Sequence, residues 1–164
     1  MTRSIVGVMG AGEDASSADL ASAHKLGELI AREGWVLLTG GRDAGVMRAA
    51  NHGAKQVPGS ITIGILPDTT SRIAPGVDIA IITDMNNARN NINVLSSNVV
   101  VACRAGGAGT ISEIALALKA GKAVILLGTD ELTNEFFKRI RGGRLLFAQS
   151  PEEVVAIIKH CGLC

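Results

Sequence analysis

Aromatic side chains are nearly missing: Phe, Trp and Tyr together make up 2% of the 164 residues, and Tyr is absent. A chain so poor in rings offers no row of stacking platforms for single-stranded nucleic acid. Charge of one sign is lacking as well. Sixteen Lys and Arg face fifteen Asp and Glu, for a formal net charge of +1, and no basic stripe of the kind that neutralises a phosphate backbone can be drawn. Nucleic acid is therefore excluded as the expected partner. No apolar run is long enough to span a bilayer, so no membrane partner is expected. The short apolar piece after Arg3 meets Glu13 and Asp14 where a leader peptide would be cut, which argues against secretion and for a cytoplasmic location.

Cysteine is sparse too, at three residues. Cys103 falls within an expected strand and reads as an inert buried thiol. Cys161 and Cys164 end the chain as "HCGLC". Reactive C-x-x-C pairs sit at a helix N-terminus, which lowers the thiol pKa. This pair follows a helix C-terminus, where the dipole has the opposite sign. A frayed tail is the expectation, and no metal site is expected.

What the chain does contain is aliphatic: the hydrophobic fraction is 47%. Residues 1–164 suffice for one domain with a sizeable core. Short apolar runs at Ser4–Met9, Trp35–Thr39, Ile61–Leu66, Ile79–Thr83, Asn98–Cys103, Ala123–Leu127 and Leu145–Ala148 read as strands apolar on both faces, as in a covered parallel sheet. Helical patterns lie between them at Ser17–Arg32, Val46–Lys55, Asn87–Ser97, Thr110–Lys119, Asn134–Arg141 and Pro151–His160. In the fourth, Ile111, Ile114, Ala115 and Leu118 form a core-facing stripe. Such alternation predicts the α/β class: a single Rossmann-like domain with a mostly parallel sheet of about seven strands and helices on both faces. Ligands then bind where loops leave the carboxyl ends of the strands.

Three of those loops are rich in glycine. "GAGEDA", Gly10 to Ala15, fits the G-x-G-x-x-G/A pattern through Gly10 and Gly12. The second strand, however, ends without the acid that would take ribose hydroxyls, so a standard NAD site is rejected. A turn with Ser16 or Ser17 capping the first helix explains this loop equally well. "TGGRDAGVM", Thr39 to Met47, carries Gly40, Gly41, Arg42 and Gly45. Glycines let successive N–H groups converge on an oxyanion; the alternative is a plain tight turn. "RAGGAGTISE", Arg104 to Glu113, brings Gly106, Gly107, Gly109 and Thr110 to a helix start. Thr110 and Glu113 could form a capping box, but a capping box needs no glycines before it. A phosphate on a helix N-terminus does.

The segment "MNNARNNINVLSSN", Met85 to Asn98, holds six Asn. Helical spacing puts Ala88, Ile92 and Leu95 on a buried stripe, with Arg89, Asn93 and Ser96 together on a neighbouring face. Arg89 in a first turn opposes the helix dipole by about 0.3–1 kcal/mol, a cost that a bound anion would offset. Carboxamides both donate and accept, as the edge of a base or pterin requires. A solvated polar helix capped by Asn86 is the alternative.

Taken together, these loops resemble the LOG-like Rossmann superfamily, which includes phosphoribohydrolases, proteins once described as possible lysine decarboxylases, and molybdenum cofactor carrier proteins. Gly40, Gly41, Arg89, Gly106 to Thr110 and Glu113 match the hydrolase loops, with Ala105 replacing the expected proline. "GVMGAG", "GWVLLTGGRDAGVM", "ARNNINVLSSNVVVA" and "EIALALKAGKAVILLGT" are similar to the carrier proteins, over roughly residues 4 to 129. Arg104 departs from the carrier pattern.

The carrier resemblance implies a homodimer or homotetramer that holds molybdenum cofactor (molybdopterin) without a covalent bond, shields it from oxidation and passes it to molybdoenzymes. The small phosphate-bearing ligand, pterin or nucleotide, would rest on Gly106 to Thr110, with charge from Arg89 or Arg42 and Asn93 facing the pterin. The hydrolase resemblance implies instead that Glu113 and Arg89 act catalytically on the N-glycosidic bond of a nucleoside 5'-monophosphate.

Overall fold

The computed structural model describes residues 2–140 and 142–164. Seven parallel strands form one sheet: β1 (Ile5–Gly10), β2 (Val36–Thr39), β3 (Thr62–Leu66), β4 (Ile79–Ile82), β5 (Val99–Cys103), β6 (Ala123–Leu127) and β7 (Leu145–Ala148). Their order is β4-β3-β2-β1-β5-β6-β7. Five α-helices lie between strands, α1 (Ser17–Arg32), α2 (Gly45–Ala54), α3 (Arg89–Leu95), α4 (Ala108–Lys119) and α5 (Glu131–Lys138), and α6 (Pro151–His160) follows β7. The expected Rossmann-like α/β architecture is present, and among the described residues no helix is long and apolar enough to cross a membrane.

Alternation along each strand divides the core into two layers. In β5, Val99, Val101 and Cys103 face the layer of α1, α2 and α6, together with Leu26, Ile30, Val46 and Ile158. Val100 and Ala102 face the layer of α3, α4 and α5, with Val94, Ile114, Leu118 and Phe137. Cys103 is buried in the first layer, and burial, helped by the nearby Asp19 charge, pushes its thiol up to about 12. The chain moves outward through β2, β3 and β4, then returns to the other side of β1 as β5. The direction of winding therefore reverses between β1 and β5, and adjacent crossovers leave a crevice at that point.

Local chemistry explains several helix boundaries. Ser16 caps α1 as anticipated: its hydroxyl accepts from the Asp19 N–H, and the Asp19 carboxylate accepts from the Ser16 N–H at 3.0 Å. Gly34, at φ +75°, follows the end of α1 in the left-handed conformation. Pro151 stands in the first turn of α6 behind the Ser150 cap.

Several expectations are corrected. The helix expected at Asn134–Arg141 starts earlier, at Glu131, because Asp130 accepts from the Thr133 N–H at 2.8 Å; Arg141 lies outside the described residues. The helix expected at Asn87–Ser97 is a 3-10 turn, Asn86–Ala88, followed by the short α3. Asn86 is not its cap; Met85 holds that position without a side-chain bond.

The largest correction concerns which face of α3 turns inward. Arg89, Asn90, Asn93 and Val94 are buried, whereas Ala88 and Leu95 are exposed and Ile92 half-buried. The polar side is inward because α4 presents polar partners there: Asn90 donates to the Ser112 hydroxyl and Asn93 to the Glu113 carboxylate, both at 2.8 Å. In α4 the buried set is Thr110, Glu113, Ile114, Ala117 and Leu118, so the stripe is rotated and Ile111 and Ala115 face outward.

Candidate functional site

The loops after β1, β2 and β5 and the start of α3 enclose a crevice of about 740 Å³, open solvent at its mouth included. Its walls include Gly10 and Gly12 from the first loop, Gly40 and Arg42 from the second, and Gly106, Gly107, Gly109 and Thr110 from the third. Arg89 and Glu113 also line it. Gly41, Gly45 and Asn93 do not.

The glycines of the second loop have reasons within the fold. Gly41 and Gly45 take φ of +73° and +44°. A Cβ on Gly45 would overlap the carbonyl oxygens of Ala11 and Gly12, so that glycine seats α2 against the first loop. The loop is further tied by Asn51, whose amide donates to the Thr39 hydroxyl at 3.0 Å and the Met47 carbonyl at 2.8 Å. Asn93, expected against a pterin, instead stands behind Glu113 with no exposed surface.

The third loop is different. A Cβ on Gly107 or Gly109 would meet nothing, and one on Gly106 would make only ordinary contact with Ala11. Gly107, at φ −176°, has an extended backbone open to any residue. Neither packing nor strain explains these glycines. The proposed capping box is absent. α4 begins at Ala108 behind Gly107, no side chain caps it, and Thr110 and Glu113 lie inside the helix. Ile111 donates to the Gly107 carbonyl at 3.0 Å, which leaves the amides of Ala108, Gly109 and Thr110 as first-turn donors without intrahelical acceptors. Such a helix end attracts anions.

Two cations border the same space. Arg89 is 8% exposed; its Nε donates to the Ile65 carbonyl at 2.8 Å. Among the described residues no carboxylate lies within ion-pair distance of it. Burial pushes its guanidinium below the usual range, against the attraction of Glu113 and with added repulsion from Arg42. A buried cation without an ion partner is costly unless a ligand supplies the anion. Arg42 is held more loosely, 3.7 Å from Glu13 at an exposed position. Glu113 is 8% exposed, and burial pushes its carboxyl up to about 7, against the Asn93 hydrogen bond and the Arg89 charge.

Other crevice residues were not singled out from the sequence: Asp14, Met47, Asn87 and Asn90. The Asn-rich segment was the available signal, but only the structure shows that Asn87 in the 3-10 turn and Asn90 in α3 line the crevice while Asn93 is taken up by Glu113.

Together the crevice supplies an anion cradle, two cations, a near-neutral carboxyl and two carboxamides. This donor set suits a ligand that carries both an anionic group and hydrogen-bonding edges.

The chain is similar along nearly its whole length to solved structures. A molybdenum cofactor binding protein from the phototrophic bacterium Rippkaea orientalis is 54% identical, with a TM-score of 0.92 and 98% of each chain covered. The molybdenum cofactor carrier protein of Chlamydomonas reinhardtii is 46% identical, with a TM-score of 0.90 over 97% of this chain and 98% of that one. An uncharacterized protein of Archaeoglobus fulgidus is 43% identical across 92% of this chain and 91% of its own length. The SLOG cluster4 family matches residues 3–155, and the chain belongs to that family.

Proposed function

We propose that this protein binds molybdenum cofactor non-covalently and carries it, with the cofactor phosphate on the amides at the start of α4. The observation that carries this reading is the uncapped end of α4 beside Arg89, a buried guanidinium without an ion partner among the described residues. The full-length likeness to a cofactor-binding protein and a cofactor carrier supports the choice of ligand. In this reading Gly106 to Thr110 receive the phosphate, Arg89 and Arg42 balance its charge, and Asn87 and Asn90 hydrogen-bond the pterin edge. The cofactor supplies redox chemistry to the enzymes that use it, while this chain binds, orients and covers it.

Titration of the purified protein with molybdenum cofactor tests the proposal. Arg89→Ala is expected to weaken binding at least tenfold, because a hydrogen bond to a charged group contributes about 1.5–3 kcal/mol and 1.4 kcal/mol is tenfold. Absence of binding at micromolar cofactor, with no competition by free phosphate, would refute it.

The proposed protein is a homo-oligomer. All four residues of β4, an edge strand, are exposed. Ile79, Ile81 and Ile82 are 44–49% exposed, and Met85, Leu95 and Ile111 add 41–52%. An apolar edge of this kind is a template for association unless it is covered. Light scattering on a sizing column should give a dimer or tetramer for the native chain and a monomer for the Ile82→Glu, Leu95→Glu double variant. A native monomer would remove this part of the reading.

A further inference from the structure

We propose that Glu113 makes anion binding in the crevice proton-dependent: the site takes an oxyanion while the Glu113 carboxyl carries its proton, and gives the anion up when that proton is lost. This rests on the reading of the start of α4 as an anion cradle, and it adds a means of release to a carrier.

The carboxyl stands in the same crevice as the anion donors. Glu113 follows Thr110 by three residues, about 4.5 Å along the helix axis, and the Cα–Cβ bonds of a helix tilt toward its N-terminus. The Glu113 side chain therefore leans back toward the first-turn amides. Asn93 Nδ2 donates to Glu113 Oε1 at 2.8 Å, and Asn93 has no exposed surface, so the carboxyl is held from behind. Because Oε1 accepts this N–H, the carboxyl proton belongs on Oε2. Among the described residues Oε2 has no hydrogen-bond partner, and unlike Asn93 Oδ1 it is not sealed from solvent. Neutral, it offers the crevice an O–H donor. Ionised, it offers a negative charge.

The ionised form opposes a ligand in two ways. An oxyanion on the Ala108 to Thr110 amides would meet a like charge about one helical turn away, in a site where Glu113 is itself only 8% exposed and repulsion is poorly screened. The carboxylate also attracts Arg89, so it supplies from within the negative charge that the guanidinium would otherwise draw from a ligand. The other charged or titratable groups facing this space are Arg89 from α3, Arg42 from the second loop and Asp14 from the first. Arginines keep their charge across the physiological range, and Asp14 is exposed, where water and salt screen it. Burial places the Glu113 transition at about 7, which makes this carboxyl the group that switches.

Sulfate is the probe, because its own charge stays constant around neutrality. It is titrated into the full chain at constant ionic strength and followed through the backbone amide resonances of Gly106 to Thr110. The native protein should bind it at least fivefold more weakly at about pH 8.5 than at about pH 6, since binding confined to the protonated form loses up to about tenfold per pH unit above the transition. Glu113→Gln, neutral throughout, should bind sulfate with little pH dependence and at the strength of the native protein on the acid side. Asp14→Asn should retain the native loss. An affinity of the native protein that is flat with pH, a loss that persists in Glu113→Gln, or one that vanishes in Asp14→Asn overturns the proton dependence and leaves the carrier reading intact. Sulfate that perturbs none of these amides at either pH overturns the anion cradle as well.

Discussion

Glu113→Gln is expected to stabilise the protein by about 3 kcal/mol above pH 8 and to change little near pH 4.5. Burial raises the Glu113 carboxyl to about 7 from 4.5. Between these values the unfolded chain has released its proton while the folded chain keeps it, so stability falls as pH rises through the window. The 2.5 units between 4.5 and 7, at about 1.36 kcal/mol per unit, give the stated magnitude. Glutamine keeps an acceptor for the Asn93 amide, which now donates to Glu113 Oε1, and removes the titration. Thermal melts across pH 4.5 to 9 should therefore diverge, with the variant melting about 6–12 °C higher at the alkaline end, at about 2–4 °C per kcal/mol for a chain of this size. Parallel curves would show that Glu113 titrates normally. The same variant distinguishes a carrier from a hydrolase. Release of free base from AMP by the native protein, abolished in Glu113→Gln, would replace the carrier proposal with an enzymatic one.

Gly53→Val is expected to cost about 3 kcal/mol, the upper end of ordinary overpacking. α1 and α2 cross at backbone distance. A Cβ on Gly53 would overlap the His24 carbonyl oxygen, and one on Gly27 the Ala50 carbonyl oxygen. Backbone atoms cannot rotate away as a flexible side chain can, so the helices must separate and open the layer around Leu26 and Ala50. Even alanine, favoured over glycine in helices by about 0.8–1.0 kcal/mol, should destabilise here. A melting temperature lower by about 6–12 °C is anticipated for the valine variant, while Gly109→Ala, a helical position whose Cβ meets nothing, should melt no lower than the native chain. A Gly53→Val protein as stable as the native one would mean that the two helices do not approach so closely.

The architecture was readable because it rests on period and punctuation. Apolar runs such as Ala123–Leu127 and Leu145–Ala148 coincide with β6 and β7 residue for residue, and Ser17–Arg32 with α1, since Ser16 and Gly34 mark its two ends. Helix faces were less readable. Ala88, Ile92 and Leu95 have the spacing of a core stripe, yet Ala88 and Leu95 are exposed. Apolar periodicity reports that a face is to be covered, without saying whether by the chain's own core or by another molecule.

The glycine loops show the same division. Sequence alone determined that three glycine-bearing segments leave strands and that Arg89 precedes the third, because strand order and loop position follow from local pattern. Only the tertiary structure decided what the glycines are for. Gly41 and Gly45 are fixed by positive φ and backbone approach, whereas Gly106, Gly107 and Gly109 border open space. It also decided that Thr110 and Glu113 sit within α4 rather than capping it, and that Asn87 and Asn90 reach the crevice while Asn93 supports Glu113. The physical reason is that hydrogen-bond partners and close contacts here join residues distant in the chain, and a pattern along one dimension carries no record of which of them meet.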